Sequence, residues 1–419
     1  MRFRRLALVV LLALFGLGVI ANAASASPTY VDRRVSAIPD ATLLSAPPLS
    51  LLDARRQEVS ARFTTWTRPL FFLWASSMIG MLVYLWMSGT AAGLRDALRK
   101  RVRSPILLRF LFGVILGVTV AFAQLPIAFV RFRIASVYDL TSQSVASWLQ
   151  DNLTSITVDS LIGGLVVAAV MTAVAKTRLW YLYTAAGIVI FSFALNFVQP
   201  VLIAPLYNVY RPLPVTSALY RPMHALETRA GLGDAPILVD NQSRQTAIIN
   251  ANVAGFGSTR RIVLGDNLIE NATPREALFI VSHEMGHSVR NDILRLNFFG
   301  TLLLLLVATI AVTIADRIGV RRDDDPLSRL PLVVAILGVA ALIAFPIFNR
   351  YSRQIEARAD AFGLALTGDP AAAVRTFVRF GDEGLAPYCP PALVRAYFYD
   401  HPPVGTRIAA VLGRPDPCP

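Results

Sequence analysis

The sequence predicts a mainly α-helical, polytopic membrane protein of about seven membrane helices, joined to a small α/β-type domain. Three observations lead there. Hydrophobic residues make up 55% of the 419 and charged residues only 16%, where soluble domains carry roughly a quarter charged. Long uncharged stretches recur, each bounded by arginine, lysine or aspartate. Two other segments, residues 211–295 and 350–419, are mixed in polarity and rich in turn residues.

The chain begins with a basic tip and an apolar run from Leu6 to about Ala24, followed by small residues. Residues 1–26 therefore read either as a cleaved signal peptide or as a first membrane helix. Residues 27–210 form an N-terminal membrane part, with a short amphipathic helix near Ser50–Arg62. Its uncharged spans are Pro69–Gly93, Phe110–Val130, Ser160–Ala175 and Leu179–Tyr210. Crossing about 30 Å of hydrocarbon takes roughly 20 helical residues, so the Ser160 span must borrow its flanks. Residues 296–349 hold two more spans, Leu296–Ala315 and Leu330–Asn349. In residues 211–295, a helix near Ser217–Ala230 stops at Gly231. Short strands follow at Ile237–Val239, Thr246–Val253 and Arg261–Gly265.

The net charge of +13 suggests nucleic acid as a partner, but its distribution argues against it. Of 40 basic residues only Lys100 and Lys176 are lysine, and the arginines flank apolar spans, as membrane topology signals do. Two cysteines, Cys389 and Cys418, exclude a disulfide scaffold and a cysteine-rich metal module.

The chemistry concentrates in one helix. Thr273-Pro274-Arg275-Glu276 is a capping box with proline in the first turn, and the helix runs on through His283-Glu284-Met285-Gly286-His287. Residues i and i+4 share a helix face, so both imidazoles can reach one metal ion, with Glu284 beside them as a base. This points to one zinc per chain. A catalytic zinc takes a third protein ligand. His224 and His401 are available, but the better candidate is Glu356, with Asp360 one turn on to hold the tautomer of a ligating histidine. The competing reading of Glu356 is a surface ion pair with Arg353 or Arg358.

These pieces resemble the type I CAAX prenyl endoproteases, integral-membrane zinc metalloproteases of the gluzincin type. The likeness rests on Tyr84-Leu85-Trp86 with Ser88-Gly89, Ile203-Ala204-Pro205-Leu206-Tyr207 and Asn250-Ala251. It continues through Arg261-Ile262-Val263-Leu264 with Asp266, His283–His287, Ser352-Arg353 through Asp360, and His401-Pro402-Pro403 with Arg407. It extends over roughly residues 69–412. The resemblance implies that Glu356 is the third zinc ligand. It implies that His401 donates to the oxyanion of the tetrahedral intermediate, and that Arg407 holds that site or the substrate. It places Asn250 and Ala251 in a sheet edge to which a peptide substrate adds itself. Residues 211–295 and 350–419 are then the two parts of the peptidase domain.

The expected activity is peptide-bond hydrolysis near the membrane, with zinc on His283, His287 and Glu356 and with Glu284 as general base. The expected partners are a peptide or protein substrate, lipidated or membrane-bound, and membrane lipid. Two other readings compete: a quality-control metalloprotease acting on membrane proteins, and a transporter with an incidental metal site. Orientation is read from charge. The connections on the side of the basic tip hold fifteen basic residues, against eight in the longer connections opposite. That puts residues 93–109 in the cytoplasm and the catalytic domain outside, where Cys389 and Cys418 could bridge. The eukaryotic members of the family imply the reverse.

Overall fold

Apolar length decides the frame. Six helices among the described residues of this computed structural model are long and apolar enough to cross a membrane. The structure describes residues 33–255, 257–319 and 325–418, so the N-terminal stretch read as a signal peptide or first helix lies outside it.

Two short helices, α1 (Arg33–Ala37) and α2 (Asp40–Ser45), lead into α3 (Ala54–Met87). The Asp53 side chain caps α3 by accepting from the Arg56 amide. This one helix absorbs both the amphipathic stretch and the first predicted span, running through Pro69. It ends before Gly89, whose φ of 74° lets the chain reverse into α4 (Thr90–Arg101). The next two helices, α5 (Pro105–Val137) and α6 (Val145–Lys176), are capped by Ser104 and Ser144. They touch backbone to backbone: a Cβ on Gly113 would lie 2.9 Å from the Cα of Gly164. In lipid, where apolar side chains gain little from leaving their surroundings, such close small-residue contact is what holds helices together. Helix α7 (Trp180–Val198) completes the N-terminal set.

The mixed segment then folds into β1 (Tyr210–Pro212), α8 (Tyr220–Ala230), β2 (Ile237–Asp240), β3 (Ala251–Ala254), β4 (Arg261–Gly265) and α9 (Asp266–Asn271). The sheet order is β1-β2-β4-β3, with β2 and β4 parallel and the outer pairs antiparallel, so β3 is an edge. The predicted strand Thr246–Val253 is shorter than expected. Residues 246–250 spend their backbone groups elsewhere: the Ala247 amide donates to the Leu140 carbonyl at 3.2 Å, and Asn267 Nδ2 donates to the carbonyls of Thr246 and Ile248. A chain so committed cannot join a ladder.

Next come α10 (Pro274–Val289), α11 (Asp292–Gly319), α12 (Pro326–Thr367), α13 (Pro370–Asp382), α14 (Ala392–Phe398) and α15 (Val404–Val411). The last predicted span and the Glu356 helix are one element. The 42 residues of α12 extend about 63 Å, well beyond a membrane.

The sheet and α10 enclose one core, in which Ile262, Leu264, Met223, Val281 and Met285 are fully buried or nearly so. A second core joins distant parts of the chain. Val35, Leu43 and Leu51 pack with Phe279 and with Ala372, Val374 and Phe377 of α13. Residues 33–52, assigned by sequence to the N-terminal membrane part, thus lie inside the peptidase-side core. Their apolar side chains have found burial there rather than in lipid. Beside this core sits a buried ion pair. Arg379 Nε donates to Glu276 Oε1 at 2.8 Å, and Arg379 also reaches Ser36 Oγ at 2.6 Å. Both charged partners are inaccessible to solvent, and Glu276 is the residue that closes the capping box of α10.

This pair generates a prediction. Arg379→Met leaves Glu276 charged and deprived of its main partner in a dry site, at a cost of about 3–5 kcal/mol. Thermal unfolding in detergent should show the loss, with part of it recovered in Glu276→Gln/Arg379→Met. A single variant as stable as the parent would refute the account.

Candidate active site

The capping box fixes where α10 starts. The Thr273 hydroxyl accepts from the Glu276 amide and the Glu276 carboxylate accepts from the Thr273 amide at 2.8 Å. Ten residues into that helix, His283 and His287 fall one turn apart on a single face, their Nε2 atoms 3.1 Å from each other. Two carboxylates on other elements hold the opposite ring nitrogens. His283 Nδ1 lies 2.8 Å from Asp360 Oδ1 on α12, and His287 Nδ1 lies 3.2 Å from Asp292 Oδ2 at the start of α11. Each ring is thereby oriented with Nδ1–H donated outward and the Nε2 lone pair turned inward.

Glu356 completes the inner face. Its Oε2 is 3.2 Å from His283 Nε2 and its Oε1 is 3.4 Å from His287 Nε2. Helices α10 and α12 must cross closely to achieve this, and glycines at the crossing allow it. A Cβ on Gly363 would lie 3.0 Å from the His283 amide nitrogen, and one on Gly286 would lie 3.0 Å from the Phe362 ring. On α12, Asn349, Arg353, Glu356 and Asp360 follow at helical spacing along one side. Asn349 Nδ2 donates to the Tyr397 carbonyl at 2.7 Å, and Arg353 donates to the carbonyls of Arg395 and Tyr399. Arg353 is therefore engaged with backbone, not with Glu356 as the competing surface-pair reading had it. The same contacts pin the segment before His401, whose Nε2 comes within 3.1 Å of Glu356 Oε2 while Nδ1 faces Asp400 at 2.8 Å.

Arg407 was expected to touch the oxyanion site or the substrate. It is buried and bound to Asp360 through one edge of its guanidinium, Nε to Oδ2 at 2.8 Å and a terminal nitrogen to Oδ1 at 2.6 Å. The Phe377 ring covers it, 4.2 Å from the guanidinium carbon. It is held on Asp360, because the fork geometry of a guanidinium matches a carboxylate. Asn250 and Ala251 sit at the start of the edge strand, where the Asn250 carbonyl accepts from the Gly265 amide at 3.0 Å. A cavity of 480 Å³ lies over the sheet face, lined by Asn252, Val253 and Ala254 of β3, Arg261 and Val263 of β4 and Tyr210 of β1, rather than by Asn250 and Ala251. The remaining histidine, His224, pairs with Glu227 on α8, with its ring against Tyr220.

Sequence reasoning missed Asp292. The signal was present in Asn291, a non-glycine residue at φ 56° that ends α10 and swings the next residue back under His287.

Electrostatics favour positive charge at the centre. Burial acts against a charged His283, yet Asp360 and Glu356 raise its pKa to about 9. His401 behaves alike: burial opposes its charge, but Asp400 and Glu356 prevail and raise it to about 10. Burial pushes the Glu284 carboxyl upward, against the pull of the neighbouring imidazoles. Glu284 Oε lies within 4.8 Å of the imidazole nitrogens.

The residues fit a metal ion. A tetrahedral ion binding nitrogen and oxygen at about 2.0–2.1 Å spaces its donors about 3.3 Å apart, and the three inward edges measure 3.1, 3.2 and 3.4 Å. Four carboxylates, of Glu284, Glu356, Asp292 and Asp360, meet one guanidinium here. A divalent cation between the imidazoles would supply the missing positive charge.

Comparison with known proteins agrees with this architecture. Residues 216–414 match the model of peptidase family M48, and residues 55–209 match the CAAX prenyl protease N-terminal model, described as five membrane helices. A Bacillus subtilis relative, "Uncharacterized metalloprotease YhfN", is 29% identical over 390 residues, 89% of each chain. The Arabidopsis thaliana "CAAX prenyl protease 1 homolog" is 26% identical and covers 80% of each chain. The Saccharomyces cerevisiae "CAAX prenyl protease 1" is 24% identical and covers 69% of this chain and 68% of its own. The fold of Saccharomyces mikatae Ste24p superposes with a TM-score of 0.73 at 20% identity, covering 96% of this chain and 98% of that one. With both halves of the chain matched and the helical frame shared, this protein is a multi-pass membrane metalloprotease whose C-terminal part matches peptidase family M48 and whose membrane helices match the CAAX prenyl protease N-terminal model.

Proposed function

We propose that this metalloprotease is a zinc endopeptidase, with His283, His287 and Glu356 as ligands and Glu284 as general base. The observation that carries the reading is the inward convergence of both Nε2 atoms and the Glu356 carboxylate, each imidazole being held from behind by its own carboxylate. Zinc bound there supplies Lewis acidity to the scissile carbonyl and to the attacking water.

The protein's own groups do the rest. Glu284 accepts the proton of the attacking water and returns it to the leaving amine. Its upward shift by burial brings it nearer the working pH, which suits a group that must both take and give. His401, protonated between Asp400 and the site, donates from Nε2 to the oxygen on which negative charge develops. Asp360 and Arg407 keep His283 in the required tautomer. An extended substrate segment adds to the free edge of β3, where main-chain hydrogen bonds give affinity with little demand on sequence.

The relatives named as CAAX prenyl proteases support a lipidated, membrane-held protein as substrate. One feature favours the second reading, quality control of membrane proteins. Cys389 and Cys418 are joined by a disulfide within the peptidase domain, in keeping with the oxidising side of a membrane and with the arginine bias that puts residues 93–109 in the cytoplasm.

Three experiments test these proposals. Glu284→Gln should retain stoichiometric zinc and lose nearly all hydrolysis, while His283→Ala or Glu356→Ala should lose zinc as well. Full activity in Glu284→Gln, or a purified parent without stoichiometric zinc, would remove the zinc reading. The same Glu284→Gln protein, cross-linked in native membranes, captures substrates for mass spectrometry and separates lipidated from unlipidated ones.

His401→Ala should lower kcat and kcat/KM together by roughly 100-fold, with zinc content unchanged. An effect confined to KM would assign His401 to substrate binding instead.

Orientation can be read with one introduced thiol. Because both native cysteines are bridged, Glu270→Cys on the exposed side of α9 provides a single reactive site. An impermeant maleimide should label it in intact cells. Labelling only after lysis would put the domain in the cytoplasm.

A further inference from the structure

A second site lies at the far end of the helical frame. Where α4 ends, α5 begins, α6 ends and α12 begins, the structure encloses a cavity of 680 Å³. Its walls are apolar, formed by Leu108, Met171, Val174 and Leu327, and its rim carries Arg99, Arg103, Arg109 and a single carboxylate, Asp325.

Among the described residues, the rim carries more positive charge than it can neutralise itself. Arg99 bonds Asp325 directly, and Arg95, whose Nε is held by Asp96 at 2.8 Å, has a second nitrogen 3.9 Å from Asp325. Arg109 donates to the Thr172 hydroxyl at 2.8 Å, a neutral partner that fixes its direction without cancelling its charge. Arg103 is exposed and has no carboxylate within ion-pair distance among the described residues.

Depth identifies the ligand class. Apolar membrane helices end here together, so the cavity straddles the border between hydrocarbon and water. Leu327 and Glu356 are separated by 29 residues of one helix, or about 43 Å of rise, so this end lies across the membrane from the peptidase site. The volume would hold roughly twenty waters at about 30 Å³ each, which apolar walls do not favour and a small inorganic anion would not displace. A ligand with an anionic head at the rim and alkyl chains against the walls satisfies both parts. Arginine at this level is well suited to it, because a planar guanidinium pairs with phosphate oxygens in two-point contacts.

We infer that this cavity is a binding site for one anionic phospholipid, its phosphate held by Arg103 and Arg109 and its acyl chains lying along Leu108, Met171 and Val174. The site is independent of the peptidase reading, since it shares no residue with that centre.

The test uses the full chain in mild detergent, with native mass spectrometry counting retained lipids after exposure to mixed phosphatidylglycerol and phosphatidylcholine. The parent should retain one phosphatidylglycerol in preference to phosphatidylcholine. Arg103→Gln/Arg109→Gln should weaken that retention about thirtyfold, whereas Arg103→Lys/Arg109→Lys should keep most of it. If the double glutamine variant fails to fold, Arg103→Gln alone should still weaken retention about fivefold. Equal retention of both lipids, or a glutamine variant that holds phosphatidylglycerol as well as the parent, overturns the inference. Inorganic phosphate or the deacylated headgroup displacing the lipid at equal concentration also overturns it, by marking the site as one for a soluble anion.

Discussion

Four carboxylates converge on two imidazoles in a space nearly closed to water, and the surrounding structure gives Glu356, Asp360 and Asp292 partners from other elements. An isolated ionised group in such a place costs several kcal/mol, so partners must be present from several elements at once. Helix α10 brings the imidazoles, α12 brings Glu356 and Asp360, the start of α11 brings Asp292, and α15 brings Arg407. None of these elements can shift alone without orphaning a charge. The glycines at the α10–α12 crossing are part of the same constraint, since side chains there would part the imidazoles from Glu356.

Helix α12 links this centre to the membrane. Its N-terminal half is one of the apolar spans, and its C-terminal half carries the site carboxylates and holds the loop that delivers His401. A single rigid element therefore sets both the depth of the site and the position of its catalytic groups. The disulfide does related work from the other end. It closes the segment from Cys389 to Cys418, within which both His401 and Arg407 lie, and so limits how far these two can drift from α12.

The two ends of the helical frame are built to different rules. At the peptidase end the charges are paired, buried and mutually oriented. At the opposite end, among the described residues, arginines outnumber carboxylates at the rim of an apolar space and face a boundary where phosphate groups are abundant. The paired cluster holds fixed geometry for a reaction. The unbalanced one is suited to a ligand that arrives from the bilayer.

The sequence by itself determined what depends on local order. Uncharged runs set the number of spans among the described residues, the capping box set the start of α10, and the spacing of His283 and His287 put them on one face, because helix geometry follows from neighbours along the chain. It could not decide what depends on contacts between distant parts. That α12 continues unbroken from membrane to site, that residues 33–52 belong to the core under α13, and that Thr246–Ile248 give their backbone to Leu140 and Asn267 are outcomes of packing. So too are the engagement of Arg407 with Asp360 and of Asp292 with His287. A buried arginine or aspartate takes whichever opposite charge the folded chain brings within reach, and only the tertiary structure determines that distance.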